Sequence, residues 1–287
     1  MIRRYFRAIC RLPRDFRDAL RVVRESARRR PFVYLGSHAG LAETHRGRKI
    51  FLDTRDFVFT PHIIATGEWE RPVESAILSR LRPGAVVVEV GSNHGYHTLA
   101  MCEAIGDAGR LYGFEANPVL FRLLRWTVDI NGFSARCVLN NVAVGDRTGV
   151  AKFCFSHEEI SRGHLGENDE ESFVNQNVPM TTLDITLSDV GQVDFLRMDA
   201  EGSEAMILTG AIELLDQSPG ITIVTEWNPD FIRARGSDPN KMIALLSERG
   251  FIPHLIDGDG ALVALSPGEL LDVGHSELLF SRNSATP

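Results

Sequence analysis

The chain predicts an α/β protein with a doubly wound, mostly parallel sheet and helices on both faces. Three observations predict it. The run Val86 to Val90 is rich in valine and places Glu89 near its end. A glycine turn and an amphipathic helix start follow, Gly91-Ser92-Asn93-His94-Gly95-Tyr96-His97-Thr98. A parallel sheet opens a nucleotide-type pocket at its carboxyl edge in this way. A second strand pattern, Arg110 to Phe114, again leads to an acid, Glu115. It lies about twenty residues past the turn, where such folds set a carboxylate on ribose hydroxyls. Strand and helix patterns then alternate to about residue 228, which implies parallel strands joined by helical crossovers.

The expected strands are 85–90, 110–114, 136–142, 193–198 and 221–226. The expected helices are 95–105, 118–131, 203–215 and 239–249. Asn117-Pro118 starts one of them, with Asn as N-cap and Pro in the first turn. Short strands at 251–257 and 260–265 flank Asp257-Gly258-Asp259-Gly260, a hairpin signal. A last strand falls near 277–281. Residues 156–177 are polar and aperiodic and predict a long functional loop, with Arg162-Gly163-His164 inside it.

Ahead of this domain, which starts at residue 83, two segments are expected. Residues 44–82 read as a β-hairpin, turning at Arg46-Gly47-Arg48, and a helix from Pro72 to Leu81 stopped by Pro83-Gly84. Residues 1–43 read as a basic amphipathic helical arm: Ile2, Phe6, Ile9, Leu12, Phe16, Leu20 and Val23 recur every three or four residues, and Pro13 interrupts them. The arm suits either packing on a protein surface, as a homodimer element for example, or peripheral contact with an anionic membrane face through residues 1–30.

Charge sharpens this division. Residues 1–30 carry eleven arginines against three acids, a net +8; with −7 overall, the remainder carries −15. An acidic body argues against nucleic acid as substrate. The N-terminus lacks an unbroken apolar h-region and no apolar run reaches the roughly twenty residues that span a bilayer. A cytoplasmic chain, at most peripheral at the inner face of a membrane, is expected. The four cysteines show no C-x-x-C spacing and read as reduced thiols.

The turn also narrows the cofactor. A dinucleotide site uses G-x-G-x-x-G, so that backbone can approach a pyrophosphate. Here only Gly91 and Gly95 are present, and Glu89 would repel a pyrophosphate. A cofactor bearing an amino group and a sulfonium fits better, as S-adenosylmethionine (SAM) does. Glu89 is a candidate contact to its amino acid end, or else a strand-end acid capping the next helix.

Five motifs follow in order: Glu89-Val-Gly91-Ser-Asn93-His-Gly95-Tyr96-His-Thr98; Phe114-Glu115-Ala116-Asn117-Pro118; Asn141-Val-Ala143-Val144-Gly145-Asp146; Thr182-Leu183-Asp184; and Arg197-Met-Asp199-Ala-Glu201-Gly202-Ser-Glu204. The series resembles the FkbM family of SAM-dependent methyltransferases over roughly residues 65–282. Glu89 stands where the family commonly has Asp, and Arg197 where it often has Lys. The resemblance implies a class I methyltransferase fold, Rossmann-like with a seven-stranded sheet, and SAM as donor. It implies a hydroxyl of a sugar, glycolipid or polyketide-like metabolite as acceptor.

On this reading Glu89, Gly91, Asn93, Gly95, Tyr96, Thr98, Glu115, Ala116, Asn117, Asn141, Ala143 and Asp199 form the cofactor site. Thr98 could equally be helix packing. Asp199, Glu201 and His164 are the candidates for acceptor positioning or proton removal, with His94 and His97 as alternative bases. No metal is assigned, although Asp199, Glu226 and Asn228 offer a donor set for Mg²⁺. The competing readings are a non-catalytic SAM-binding partner in a biosynthetic complex and an NAD-dependent oxidoreductase.

Overall fold

In the computed structural model, which describes residues 31–282, the chain opens with β1 (Val33–Gly36), β2 (Ala39–Glu43) and β3 (Lys49–Asp53), an antiparallel meander. This corrects two expectations. Residues 33–43 are strand, not helical arm, and the hairpin has three strands. The mostly apolar stretch Phe32 to Leu35, with two aromatics and a β-branched residue, suits a pleated edge. The helical reading of residues 1–30 lies outside the described residues.

Helices α1 (Phe59–Thr66) and α2 (Arg71–Arg80) lead into the sheet. The core alternates β4 (Val86–Val90), α3 (Tyr96–Ile105), β5 (Arg110–Phe114), α4 (Pro118–Ile130) and β6 (Cys137–Asn140). An inserted layer follows, of β7 (Ala143–Val144), β8 (Gly149–Ser156), β9 (His164–Leu165) and β10 (Phe173–Thr181). After α5 (Leu183–Thr186) come β11 (Phe195–Met198), α6 (Glu204–Thr209), α7 (Ile212–Gln217) and β12 (Thr222–Trp227). The chain closes with α8 (Pro229–Ala234), α9 (Pro239–Glu248), β13 (Ile252–Ile256), β14 (Leu262–Ala264) and β15 (Ser276–Ser281).

The main sheet runs β14-β13-β15-β12-β11-β4-β5-β6. From β12 to β6 all neighbours are parallel, whereas β15 is antiparallel to both β12 and β13. Eight strands are present where the family resemblance implied seven, because β14, in the strand expected at 260–265, pairs at the edge beyond the Asp257–Gly260 turn. Alternation along the strands sorts the two faces. Val87, Phe195, Val224 and Leu279 pack with α1, α2 and α3. Val88, Leu196, Ile223 and Leu278 pack with α6, α7 and α9. The order reverses between β4 and β11, so their carboxyl ends flank the crevice where open α/β sheets bind ligands.

Two further expectations change. The helix over 203–215 breaks between α6 and α7: a Cβ at Gly210 would collide with the Gly145 carbonyl, and the break lets β7 approach. The loop 156–177 is largely structured. β8 and β10 pair from Ser156↔Phe173 to Gly149↔Met180, and a 3₁₀ turn at Ile160–Arg162 and β9 fold back over them. Phe153, Phe155, Ile160, Val178 and Met180 close a third core with Leu120 and Ala143.

Helix α4 also seals the open edge of β3. Thr127 Oγ1 accepts from the Phe51 amide at 3.0 Å. Asn131 accepts from the Lys49 amide at 3.1 Å and donates to the Lys49 carbonyl at 2.7 Å. Side chains thus stand in for a missing neighbouring strand, which protects the edge. Asn131→Ala leaves both Lys49 groups without these partners. Stability is expected to fall by about 1–3 kcal/mol, read as a lower urea midpoint at unchanged slope.

Candidate functional site

The turn after β4 is forced into an unusual path. Gly91 has φ +82°, and a Cβ there would run into the Asp199 backbone carbonyl. The Asp199 amide in turn donates to the Val90 carbonyl at 3.0 Å. The ends of β4 and β11 therefore meet where only hydrogen fits. Asn93 follows at φ +53°, a conformation Asn tolerates. Its amide donates to Glu115 Oε2 at 2.8 Å, while the Asn117 amide donates to Oε1 at 2.8 Å. Glu115 is thereby clamped at the end of β5. Burial, then the neighbouring charges of Asp199 and Glu89, outweigh these amides and push its proton affinity up to about 7.

These residues border a cavity whose empty space, counted together with its mouth open to solvent, is about 590 Å³. Its polar rim is Gly91, Asn93, Glu115, Asp199, Glu201 and Ser203. Its apolar wall is Phe114, Ala116, Leu120, Val142, Ala143 and Val144, and the inserted layer closes it with Phe153, Ser161, Gly163, His164 and Leu165. The cover is fastened from two sides. Asn93 Nδ2 donates to the Ser161 carbonyl at 3.2 Å, and the Ser161 amide donates to Asp56 Oδ2 at 3.2 Å.

The sequence candidates divide accordingly. Gly91, Asn93, Glu115, Ala116, Ala143, Asp199, Glu201 and His164 line the cavity. Glu89, Gly95, Tyr96, Thr98, Asn117 and Asn141 do not. Glu89 is fully buried beneath it, accepting from Thr98 Oγ1 at 2.5 Å and lying 3.6 Å from Arg197 Nη1. Burial raises its proton affinity despite Arg197. The Tyr96 hydroxyl donates to Glu74 at 2.7 Å on the α2 side. Gly95 packs on Leu124 and Thr127 of α4. Asn117 caps α4 by accepting from the Val119 amide at 2.9 Å. Asn141 donates to the Glu115 carbonyl at 2.8 Å and so fixes the loop beside Ala116.

The alternative bases are engaged. His94 Nε2 lies 3.2 Å from the Asp53 amide and accepts from it, so Nδ1 carries the hydrogen towards Asn93 Oδ1 at 2.6 Å. Burial lowers the pKa of His94 to about 4, which keeps it neutral. His97 Nε2 lies 3.2 Å from Glu70. His164 Nε2 lies 3.0 Å from Cys154 Sγ, and burial followed by the Arg235 charge lowers its pKa. Burial keeps the Cys154 thiol protonated, so the thiol donates to that nitrogen.

At the end of β11, Arg197 is almost fully buried and opposes Glu89 in the strand register. Its Nη2 donates to Asp199 Oδ2 at 2.7 Å and lies 3.9 Å from Glu70. Glu201, at φ +51°, is pushed up to about 8 by burial and by the charge of Asp199. Glu204 accepts from the Ala200 amide at 2.8 Å, which pins the turn between them. Of the candidate magnesium donors, Asn228 accepts from the Phe231 amide as the cap of α8, and Glu226 meets His275 at 2.8 Å. Among the described residues no group of three or more acids, histidines or cysteines is placed to hold a metal.

Sequence reasoning missed Glu70, Ser161, Ser203 and Glu277, which come from loops or a distant strand. Two had a local signal: Ser161 stands beside Arg162-Gly163-His164, and Ser203 lies inside the motif from Arg197 to Glu204.

A glycine turn, a clamped acid after the second strand and an acidic pair at a sheet switch point define an α/β enzyme of the nucleotide-binding type. The methyltransferase FkbM domain model matches residues 89–253, more than half of the chain, and the chain belongs to that family. It is a SAM-dependent methyltransferase. Structures of similar shape include a SAM-dependent O-methyltransferase from Thermotoga maritima, 12% identical, with 86% of this chain and 78% of that chain covered and a TM-score of 0.43. A SAM-dependent methyltransferase from Aquifex aeolicus is 13% identical, with 74% and 88% covered and a TM-score of 0.40. No curated protein matches the chain by sequence.

Arg197 is the buried cation facing Glu89, Glu70 and Asp199. Arg197→Met strands buried negative charge and is expected to cost about 3–5 kcal/mol in urea unfolding. Adding Glu89→Gln to Arg197→Met should recover part of that loss. Equal instability of the single and double variants would show that the two side chains do not interact.

Proposed function

We propose that this chain binds SAM in the cavity between β4 and β11 and transfers its methyl group to an alcohol oxygen of a sugar, glycolipid or polyketide-like acceptor. The observation that carries this reading is the convergence of a clamped carboxylate, an apolar wall and two acids on one cavity. The residues fit the cofactor. Gly91 lets the ends of β4 and β11 close together at the cavity edge, and Glu115 offers two carboxyl oxygens, each with a lone pair beyond its amide, to the ribose hydroxyls. Ala116, Leu120, Val142 and Ala143 suit the adenine ring. Asp199 and Glu201 suit the positively charged end.

SAM, when bound, supplies an activated methyl group together with its own leaving group. The protein must then align the acceptor and accept or relay a proton. Arg197 holds Asp199 Oδ2, which fixes the carboxylate at the cavity edge. Asp199 positions the acceptor hydroxyl or takes its proton. Glu201, with its proton affinity near 8, serves as a second acceptor of that proton. Among the described residues no helix is long and apolar enough to cross a membrane.

Two measurements test this reading. Asp199→Asn should cut transfer of labelled methyl from SAM to a glycolipid extract by about 10²–10⁴-fold. Its affinity for S-adenosylhomocysteine should fall far less than its turnover does. Full turnover in that variant would remove Asp199 from the chemistry. The second measurement uses pH. Ribose hydroxyls donate to a carboxylate, and Glu115 holds its proton up to about 7. Affinity for S-adenosylhomocysteine should therefore strengthen from pH 6 to pH 8, by up to about tenfold per pH unit below that value. Glu115→Gln should bind more weakly and flatten the rise; an unchanged profile would exclude Glu115 as the ribose acceptor.

A further inference from the structure

A second acidic group stands beside the cavity, on the α2–α3 face of the sheet. Arg197 opposes Val224 in the β11–β12 register, and Glu226 lies directly opposite Glu277 in the β12–β15 register. Period-two alternation puts Arg197, Asp199, Glu226 and Glu277 on one face, at the carboxyl edge. Glu70, in the bend before α2, meets the same row through Arg197.

Arg197 is committed to this side of the row through Asp199 and Glu70. Glu226 is left with His275, whose Nε2 lies 2.8 Å from Oε1. Its other oxygen, Oε2, is buried and has no hydrogen-bond partner, although the residue is only 6% exposed. Directly opposite residues in an antiparallel pair hold their Cβ atoms about 4.5–5.5 Å apart, and like charges there repel. Burial and the acids around it push Glu226 up to about 10, and Glu277 is raised well above the carboxylate range for the same reasons. The pair therefore resolves its repulsion by holding protons. Yet the place is not sealed: the side chains of His275 and Asp199 are 64% and 28% exposed.

We propose that Glu226 and Glu277 form the subsite that binds the methyl acceptor, and that it takes a neutral polyhydroxylated group, such as adjacent hydroxyls of a sugar ring, in preference to one bearing phosphate or carboxylate. This rests on the reading that methyl transfer occurs at Asp199. A buried carboxyl oxygen without a partner calls for a donor, and a hydroxyl supplies one. A protonated carboxyl also donates, so the pair matches the double donor and acceptor character of hydroxyls. Among the described residues an anionic group meets several acids here, and the nearby Arg197 is already engaged by Asp199 and Glu70, which selects against it. A cationic amine gains little from carboxyls that keep their protons.

The test uses the full chain saturated with S-adenosylhomocysteine and three probes: methyl α-glucopyranoside, glucosamine and glucose 6-phosphate. Saturation-transfer NMR should show contact with the neutral glycoside and none with the phosphate. Glu226→Leu should weaken that contact about tenfold or more, with S-adenosylhomocysteine binding retained as the check on folding. Glu277→Gln, a gentler change, should weaken it in the same direction. Stronger contact with glucosamine or glucose 6-phosphate overturns the proposal, and so does contact with none of the three while S-adenosylhomocysteine is bound. An undiminished glycoside signal in both variants places the acceptor elsewhere. Failure of the parent chain to bind S-adenosylhomocysteine would strike the underlying reading of the cavity.

Discussion

The buried guanidinium of Arg197 sits where two strands of opposite winding part, and the surrounding acids depend on it. Its register neighbour Glu89 is sealed from solvent, and Asp199 and Glu70 approach the same group. A carboxylate buried without such a partner would cost several kcal/mol or take up a proton. Arg197 keeps its own proton: burial works against the charge, and Asp199, Glu89 and Glu70 outweigh it. A lysine here would bring one compact charge, whereas the planar fork can face several carboxyls at once. Thr98 completes the arrangement by donating to Glu89, so the first turn of α3 is tied to the end of β4.

The same edge explains why an N-terminal meander is attached to the sheet. Asp56 accepts from the amides of Val58 and Phe59 at 2.8 and 2.7 Å, which turns the chain into α1. Its second oxygen takes the Ser161 amide, and the Phe57 amide donates to the Glu158 carbonyl at 2.8 Å. The cover of the cavity therefore rests on the meander. Asn93 joins them from below, since its backbone binds Glu115 and its side chain binds the cover. One residue of the glycine turn thus links the floor and the roof.

The central strands were legible because each is a short apolar run between turn signals, and Gly91 and Glu115 because their spacing reflects a backbone constraint. Parity was not legible. Alternation puts Glu89 opposite in direction to Val90, but it does not say which face the cavity opens on. Val90 lines the cavity and Glu89 lies beneath it. Asn117 and Asn141 read as site candidates, and in the structure their polar atoms bind nearby backbone, a use of Asn that leaves the same trace in a sequence. β10 escaped notice because Asn175, Gln176, Asn177 and Pro179 interrupt the alternation, and pairing with β8 is what orders it. Glu70 and Glu277 come to the site through tertiary contact, so no local pattern could have shown them.

The crowding of acids also has a direction in free energy. Glu115, Glu201 and Glu204 hold their protons to about 7, 8 and 7 in the folded chain, burial being the first cause in each. Groups raised in this way favour the fold fully below the ordinary carboxylate range, and that contribution is lost as pH rises through these values. Near neutral pH, ionising these acids therefore carries an electrostatic cost. A cofactor with a sulfonium and an ammonium relieves it by bringing positive charge to the place where the sheet supplies little. On the proposed reading, Glu201 is the one of these that, with Asp199, draws in the charged end of the cofactor. Glu226 and Glu277, which relieve their own repulsion by keeping protons, are left for a neutral partner. The division between charged cofactor and uncharged acceptor then follows from which carboxyls yield their protons.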